Sequence, residues 1–416
     1  MSATARASGT ARITATRFPS PRAAGDLAEI VADAVRIRPP LYLQSIFGPI
    51  RSWAEPKRPL SEFRILNPRQ PLRTLRYLRD ASVPARPWSP PPPVARWVPD
   101  ALTDLFWRPS EILCEPDPYG RTDSFPDEKW FFVNGVATNA DVARLNARLI
   151  AKLFRRPVTL LQNATDSLLV DLYECAVGKG FRKQAHSEDR QSMTEPAWRA
   201  VTAVLSALND PELERVIVLA HSQGTIIASN MLRAIARTLD QQHLLSRGGR
   251  RCNWDTFAGD LMRQFDDDRN EDLRASVAGC MAQFGSGRPD AVLARLRKLE
   301  VYTFANCADS MKQVVRRGRR ALPWLEHFAN ENDIVARLGV LSPNDKVVID
   351  GPRYIRRGAW GHLLNEHHLF PIQEHLEDGG SNEVPDPYPP TGPVGSTMPR
   401  LYRYAHGGRP RALAAF

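Results

Sequence analysis

One serine in this chain has neighbours arranged for chemistry. Residues 216–229 read V-I-V-L-A-H-S-Q-G-T-I-I-A-S, and within them Ala220-His221-Ser222-Gln223-Gly224 has a small residue on either side of Ser222, two positions away. A serine hydroxyl is a weak nucleophile until a neighbouring base takes its proton. It must therefore stand where a base, and donors for a developing negative charge, can converge on it. A sharp turn from a strand into a helix does this, and such a turn tolerates only small residues at those two positions. Val216 to Leu219 is a continuously apolar run, as in a strand buried on both faces. Helical spacing follows from Gly224. The turn would set the Ser222 hydroxyl at the C-terminal edge of a sheet, where open α/β folds bind ligands. The plainer reading is a tight strand–helix turn with a passive serine.

The A-H-S-Q-G-T element resembles the nucleophile elbow of α/β hydrolases, especially lipase- and esterase-like members. The resemblance covers about residues 129–376 and departs from the commonest pattern in Ala220, where Gly is usual. It implies an oxyanion hole with one donor from the backbone N–H of Gln223. The second would come from F-F-V-N-G-V-A-T, residues 131–138, which resembles the loop where many lipases carry His-Gly, here Asn134-Gly135. The Val136 amide is the expected donor, and a plain Asn-Gly turn is the alternative. The family's chain order is serine, acid, histidine. H-F-A-N-E-N-D-I-V-A-R puts Asp333 just after a strand signal, as the expected acid; Asp309, after the strand ending at Phe304, is the alternative, and capping of a helix is the other reading of either. The base is expected in A-W-G-H-L-L-N-E-H-H-L-F. His362 resembles the Gly-His that closes many α/β hydrolases, with His367 as the alternative. On a regular helix, positions five or six apart diverge by about 140° or 120°, so His362 shares no direction with His367 or His368, and only one can reach Ser222.

The implied activity is cleavage of a carboxylic ester, lipid esters included, through an acyl-serine intermediate. An acyltransferase or thioesterase would use the same parts. A reading of a different class is a catalytically inactive hydrolase-fold protein serving as a binding or scaffold module. No cofactor and no metal is implied.

The elements that must position these residues alternate. Trp130 to Val133, Val158 to Leu161, Val216 to Leu219, Val301 to Phe304, His327-Phe328 and Val347 to Ile349 read as strands. Residues 140–155, 167–178, 196–208, the stretch from 224 and 363–376 read as helices. This predicts an α/β fold with a mostly parallel sheet flanked by helices, here with a helical insert and a Pro-rich N-terminal extension. Residues 126–377 form the expected hydrolase domain. Within it, 240–298 contain no strand signal and read as helices broken at Gly248-Gly249 and Gly285-Ser286-Gly287, either a lid or ordinary packing on the sheet. Residues 26–125 are dense in proline yet carry Trp53, Trp88, Trp97 and Trp107. They read as an extended arm anchored across the domain by tryptophans, with a polyproline ligand as the alternative. Residues 378–416 read as a loose tail.

The 416 residues are 43 % hydrophobic and 25 % charged, as in water-soluble globular chains. Net charge is +10, but the basic residues are dispersed apart from Arg316, Arg317, Arg319 and Arg320. No nucleic-acid-binding motif accompanies them, so a solvated basic surface is expected, with contact to an anionic membrane surface as the alternative. Five cysteines at wide spacings give neither a disulfide framework nor a zinc site, which fits a reducing compartment. Residues 1–25 are rich in Arg, Ser, Thr and Ala without an apolar core. They read as a disordered or targeting-like N-terminus, so an intracellular, cytoplasmic location is expected, with organellar import as the alternative. Asn163 to Thr165 match a glycosylation sequon but are expected to be a strand-end turn.

Overall fold

The computed structural model describes residues 44–49, 58–64, 125–135, 140–161, 195–246, 253–262, 271–317, 320–378, 384–389 and 398–413. Six strands form one sheet: β1 (Glu128–Val133), β2 (Val158–Leu161), β3 (Arg215–His221), β4 (Leu299–Phe304), β5 (Trp324–Asn330) and β6 (Arg353–Arg356). Their order is β6-β5-β4-β3-β1-β2, and every pairing is parallel. The order reverses between β1 and β3, the position at whose C-terminal edge open α/β sheets bind their ligands.

Alternation along the strands explains why they are apolar throughout. Phe131, Val133, Val216, Val218, Ala220, Leu299 and Val301 face one core, and Trp130, Phe132, Ile217, Leu219, Tyr302 and Phe304 face the other. Helix α1 (Ala140–Phe154) covers the second face with buried Ala143, Ala147, Ile150 and Phe154. On the first face lie α2 (Glu195–Asn209) and α3 (Gly224–Ser246), with Trp198, Val201, Val204, Leu205 and Leu208 forming the buried stripe of α2 at helical spacing.

The helical insert contains α4 (Trp254–Leu261), α5 (Glu271–Phe284) and α6 (Pro289–Arg297). Val277, Ala278, Met281 and Phe284 of α5 join the core around α2, and α4 packs on α5. These two helices thus form a layer over α2. Glu271 and Asp272 form part of an exposed face, and the break at Gly285-Ser286-Gly287 separates α5 from α6; Gly248-Gly249 lies outside the described residues, as do the predicted helix 167–178, the sequon and the four tryptophans of the arm.

Three expectations differ. Val348–Ile349 is a strand, but it pairs with Ser310–Met311 in a separate two-stranded sheet. The sixth strand of the main sheet is Arg353–Arg356, whose R-Y-I-R sequence is too polar to read as a buried strand; it is an edge strand in which only Tyr354 is buried. The expected helix 363–376 is divided into a π-helical turn, Leu364–Leu369, and α8 (Phe370–Glu377). Pro371 lacks an N–H and crowds the carbonyl four residues earlier, that of His367, which accepts from Asn330 Nδ2 at 3.4 Å and Arg356 at 3.5 Å instead.

The tail is not loose where described. Tyr388, Leu401, Tyr402 and Tyr404 are buried. Arg400 makes two bonds to the Glu300 carboxylate, at 2.8 and 2.9 Å. Its Gly, Pro, Ser and Asp content masked these aromatic anchors. Nearby, Arg156 is fully buried beneath the start of β1, bonded to Glu128 at 2.8 Å and to the carbonyls of Phe154, Tyr404 and Gly408. This end of the sheet is a satisfied ionic layer, opposite the C-terminal edge. Among the described residues no helix is long and apolar enough to cross a membrane.

Candidate active site

Strand β3 ends at His221 and α3 begins at Gly224, leaving two residues for the reversal. Ser222 takes φ +56°, in the left-handed region that non-glycine residues rarely adopt. The turn is held from both sides: Ser222 N–H donates to Phe304 O at 3.0 Å, and the Thr225 hydroxyl donates to Ser222 O at 2.6 Å. A Cβ at Gly224 would stand 2.4 Å from Val133 O, and one at Gly135 would stand 2.6 Å from Ser222 Cβ. The demand for small residues is therefore a direct steric fact: strand β1 and its loop press on the elbow.

Ser222 Oγ lies 2.9 Å from Nε2 of His362. Nδ1 of the same ring lies 2.8 Å from Asp333 Oδ2. His362 comes from the loop after β6, just before the π-helical turn; Asp333 from the turn after β5. Asp333 also caps α7 (Ile334–Arg337), its Oδ1 accepting Val335 N–H at 2.9 Å. Capping and bonding the imidazole, alternatives on sequence, are done here by the two oxygens of one carboxylate. Asp333 is wholly buried, while the His362 side chain keeps 13 % of its surface. Ser222 keeps 2 %.

Electrostatics suit an imidazole that accepts a proton. Burial pulls His362 down, but the charge of Asp333 and the hydrogen bond to it push it up, leaving it above the ordinary histidine value. Beside it, His221 lies with ring centroids 4.7 Å away and donates from Nε2 to the His362 carbonyl at 2.8 Å. A carbonyl only accepts, so Nε2 carries the proton and Nδ1 is a bare lone pair, buried without a partner. Burial, then the nearby charge of His362, holds His221 well below the ordinary value, so this ring stays neutral.

The other candidates go elsewhere. His367 Nδ1 accepts Leu363 N–H at 3.0 Å, and His368 Nδ1 shares a 2.6 Å bond with the Tyr388 hydroxyl. Asp309 is half-buried, and its carbonyl accepts Val348 N–H in the small sheet; the carboxylate at His362 is that of Asp333. Gln223 lies in the elbow just before α3, where the first N–H groups of a helix have no intrahelical partner and favour negative charge. Val136 lies outside the described residues; Asn134 and Gly135 before it are buried against the elbow.

Residues of the arm that spacing could not reveal also reach the site. Residues 44–47 form a helical turn. The Ser45 hydroxyl donates to Asn332 O at 2.8 Å and accepts Ile334 N–H at 2.7 Å, and Ile46 O accepts His362 N–H at 2.8 Å. Glu62 accepts the Asn365 and Glu366 N–H groups at 2.8 and 2.9 Å. Burial raises its carboxyl from 4.5 to about 7. Among the described residues no group of His, Cys, Asp and Glu is placed to hold a metal ion.

The arrangement can take a proton from Ser222 and hold the resulting imidazolium against a carboxylate. No family model matches the chain, and comparison with curated proteins and with solved structures returned no match.

Proposed function

We propose that this protein is a serine hydrolase of the α/β-hydrolase fold that cleaves a carboxylic ester, lipid esters among the candidates, through an acyl-serine intermediate. The observation that carries the reading is the continuous chain from Ser222 Oγ to His362 Nε2 at 2.9 Å and from His362 Nδ1 to Asp333 Oδ2 at 2.8 Å. The strained backbone at Ser222 and the parallel sheet behind it support the same conclusion.

Ser222 Oγ attacks the ester carbonyl carbon as His362 takes its proton. The oxyanion is held by backbone N–H groups, with Gln223 as one donor and Val136 as the other. Collapse expels the alcohol, which receives the proton from His362. Water, deprotonated by the same ring, then attacks the acyl-serine carbonyl and releases the acid and Ser222. Asp333 fixes the tautomer in which Nδ1 carries the hydrogen and stabilises the imidazolium that forms.

A second reading, an inactive binding or scaffold module on the same fold, draws on the slight exposure of Ser222, 2 %. A fluorophosphonate probe separates them. The enzyme reading expects the full-length protein to be labelled at Ser222, labelling to vanish in Ser222→Ala, and short-chain p-nitrophenyl esters to be hydrolysed with the same dependence. An unlabelled, well-folded protein would favour the scaffold.

A further inference from the structure

The turn that carries Asp333 leaves β5, and the loop that carries His362 leaves β6. Two consecutive arm residues join them. Ser45 donates to Asn332 O and accepts from Ile334 N–H, the groups on either side of Asp333. Ile46 O accepts the N–H of His362 itself. Ser45 is 2 % exposed, so its hydroxyl bonds compete little with water. Next to it, Gly48 takes φ +73° and a Cβ there would lie 2.7 Å from His367 Nε2, so the backbone passes close against the histidine loop.

We propose that Ser45 is a positioning residue for the Asp333–His362 pair, its hydroxyl locking the acid turn to the arm while the neighbouring carbonyl locks the base loop to the same short helical turn. The proposal rests on the reading of this pair as acid and base, and deepens it. The physical argument is one of degrees of freedom. A carboxylate and an imidazole on separate loops each wander by tenths of an ångström, and a base displaced by about 1 Å can lose two orders of magnitude in rate. A single rigid turn bonded to both backbones removes their relative motion. The Ser45 hydroxyl bonds the backbone groups on either side of Asp333, so its effect passes through Asp333 and His362.

The test compares full-length wild type, Ser45→Ala, Ser45→Thr and Ser45→Cys. Two quantities are read: kcat and KM for p-nitrophenyl butyrate, and the titration of His362 by imidazole NMR. Ser45→Ala removes both hydroxyl bonds and is expected to lower kcat about tenfold, with KM nearly unchanged, and to move the His362 titration downward as the bond to Asp333 loosens. Ser45→Thr, which keeps the hydroxyl, is expected to restore both. Ser45→Cys, near in volume but weaker in bonding, should show a smaller shift of the same sign, and it serves if Ser45→Ala does not fold. A Ser45→Ala protein that melts earlier yet keeps wild-type kcat and His362 titration overturns the proposal, and so does an equal loss in the Ala and Thr variants. A wild type that hydrolyses no ester counts against the proposed function alone; the His362 titration then decides the role of Ser45.

Discussion

At the scale of single residues, the proposed chemistry turns on a proton held between Ser222 and His362. Activity requires the neutral imidazole, and Asp333 holds that group above the ordinary histidine value. The pH profile of kcat/KM, which reports the free enzyme, is therefore expected to lose activity on acidification from above the usual value of about 6.5. Replacing Asp333 by Asn should move that limb down and lower kcat; an unmoved limb would assign it to another group. Gly135 offers a separate lever. An added methyl would stand 2.6 Å from Ser222 Cβ and 3.0 Å from His221 O, so the elbow must shift. Gly135→Ala is expected to cost about a hundredfold in kcat through misplacement of the hydroxyl, measured alongside circular dichroism that remains native.

At the scale of elements, what the sequence revealed depended on whether a physical demand was local. The elbow was legible because strand, turn and helix demand apolar run, small residues and periodicity within a few positions. Ser222, Asp333 and His362 lie together as their order suggested, with His367 and His368 turned to other partners. Strand β6 escaped because an edge strand needs only half of its residues buried, and Tyr354 among arginines carries almost no alternation. The π-helical turn escaped because the apolar spacing of 363–376 continues across Pro371, while the partners of the His367 carbonyl, Asn330 and Arg356, lie far from it in sequence. Ser45 and Glu62 could not be read at all, since each meets its partners across about three hundred residues. Glu62, seated on the first amides of that π-helical turn, makes the turn pH-sensitive. Its folded carboxyl titrates at about 7 against an ordinary 4.5, so the folded chain holds its proton more tightly than the unfolded one. That stabilisation is complete below 4.5 and disappears as pH rises through about 7. Comparing the thermal midpoints of wild type and Glu62→Gln across this interval isolates the contribution: the wild-type midpoint minus the variant's should fall as pH rises through about 7. Glu326, raised in the same way to about 7, contributes in the same sense, whereas His221, His327 and His368, lowered by burial, contribute in the opposite one.

At the scale of the whole molecule, the sheet separates two tasks. The C-terminal edge of the strands carries the candidate site and the described arm residues 44–49 and 58–64; beneath, buried charged residues are paired with one another. There Arg400 grips Glu300, which is almost wholly buried. Removing one partner of such a pair leaves an unmatched charge and costs about 3–5 kcal/mol. Arg400→Leu is expected to destabilise by this amount in urea titration while the probe-labelling rate per folded molecule stays unchanged. A variant that labels more slowly yet unfolds at the wild-type midpoint would tie this layer to the chemistry instead.

The reach of the arm also sets a timetable. Ser45 pairs with a residue 287 positions later, and Glu62 with one 303 positions later. Synthesis at about 5–20 residues per second leaves those groups waiting roughly 15–60 s for their counterparts. Ser222 is itself added partway through that interval, and a further 140 positions separate it from His362, so only in the later part does the nascent chain hold its serine without the imidazole that activates it. Fragments released early would carry the Ser222 hydroxyl without the ring that faces it in the full chain.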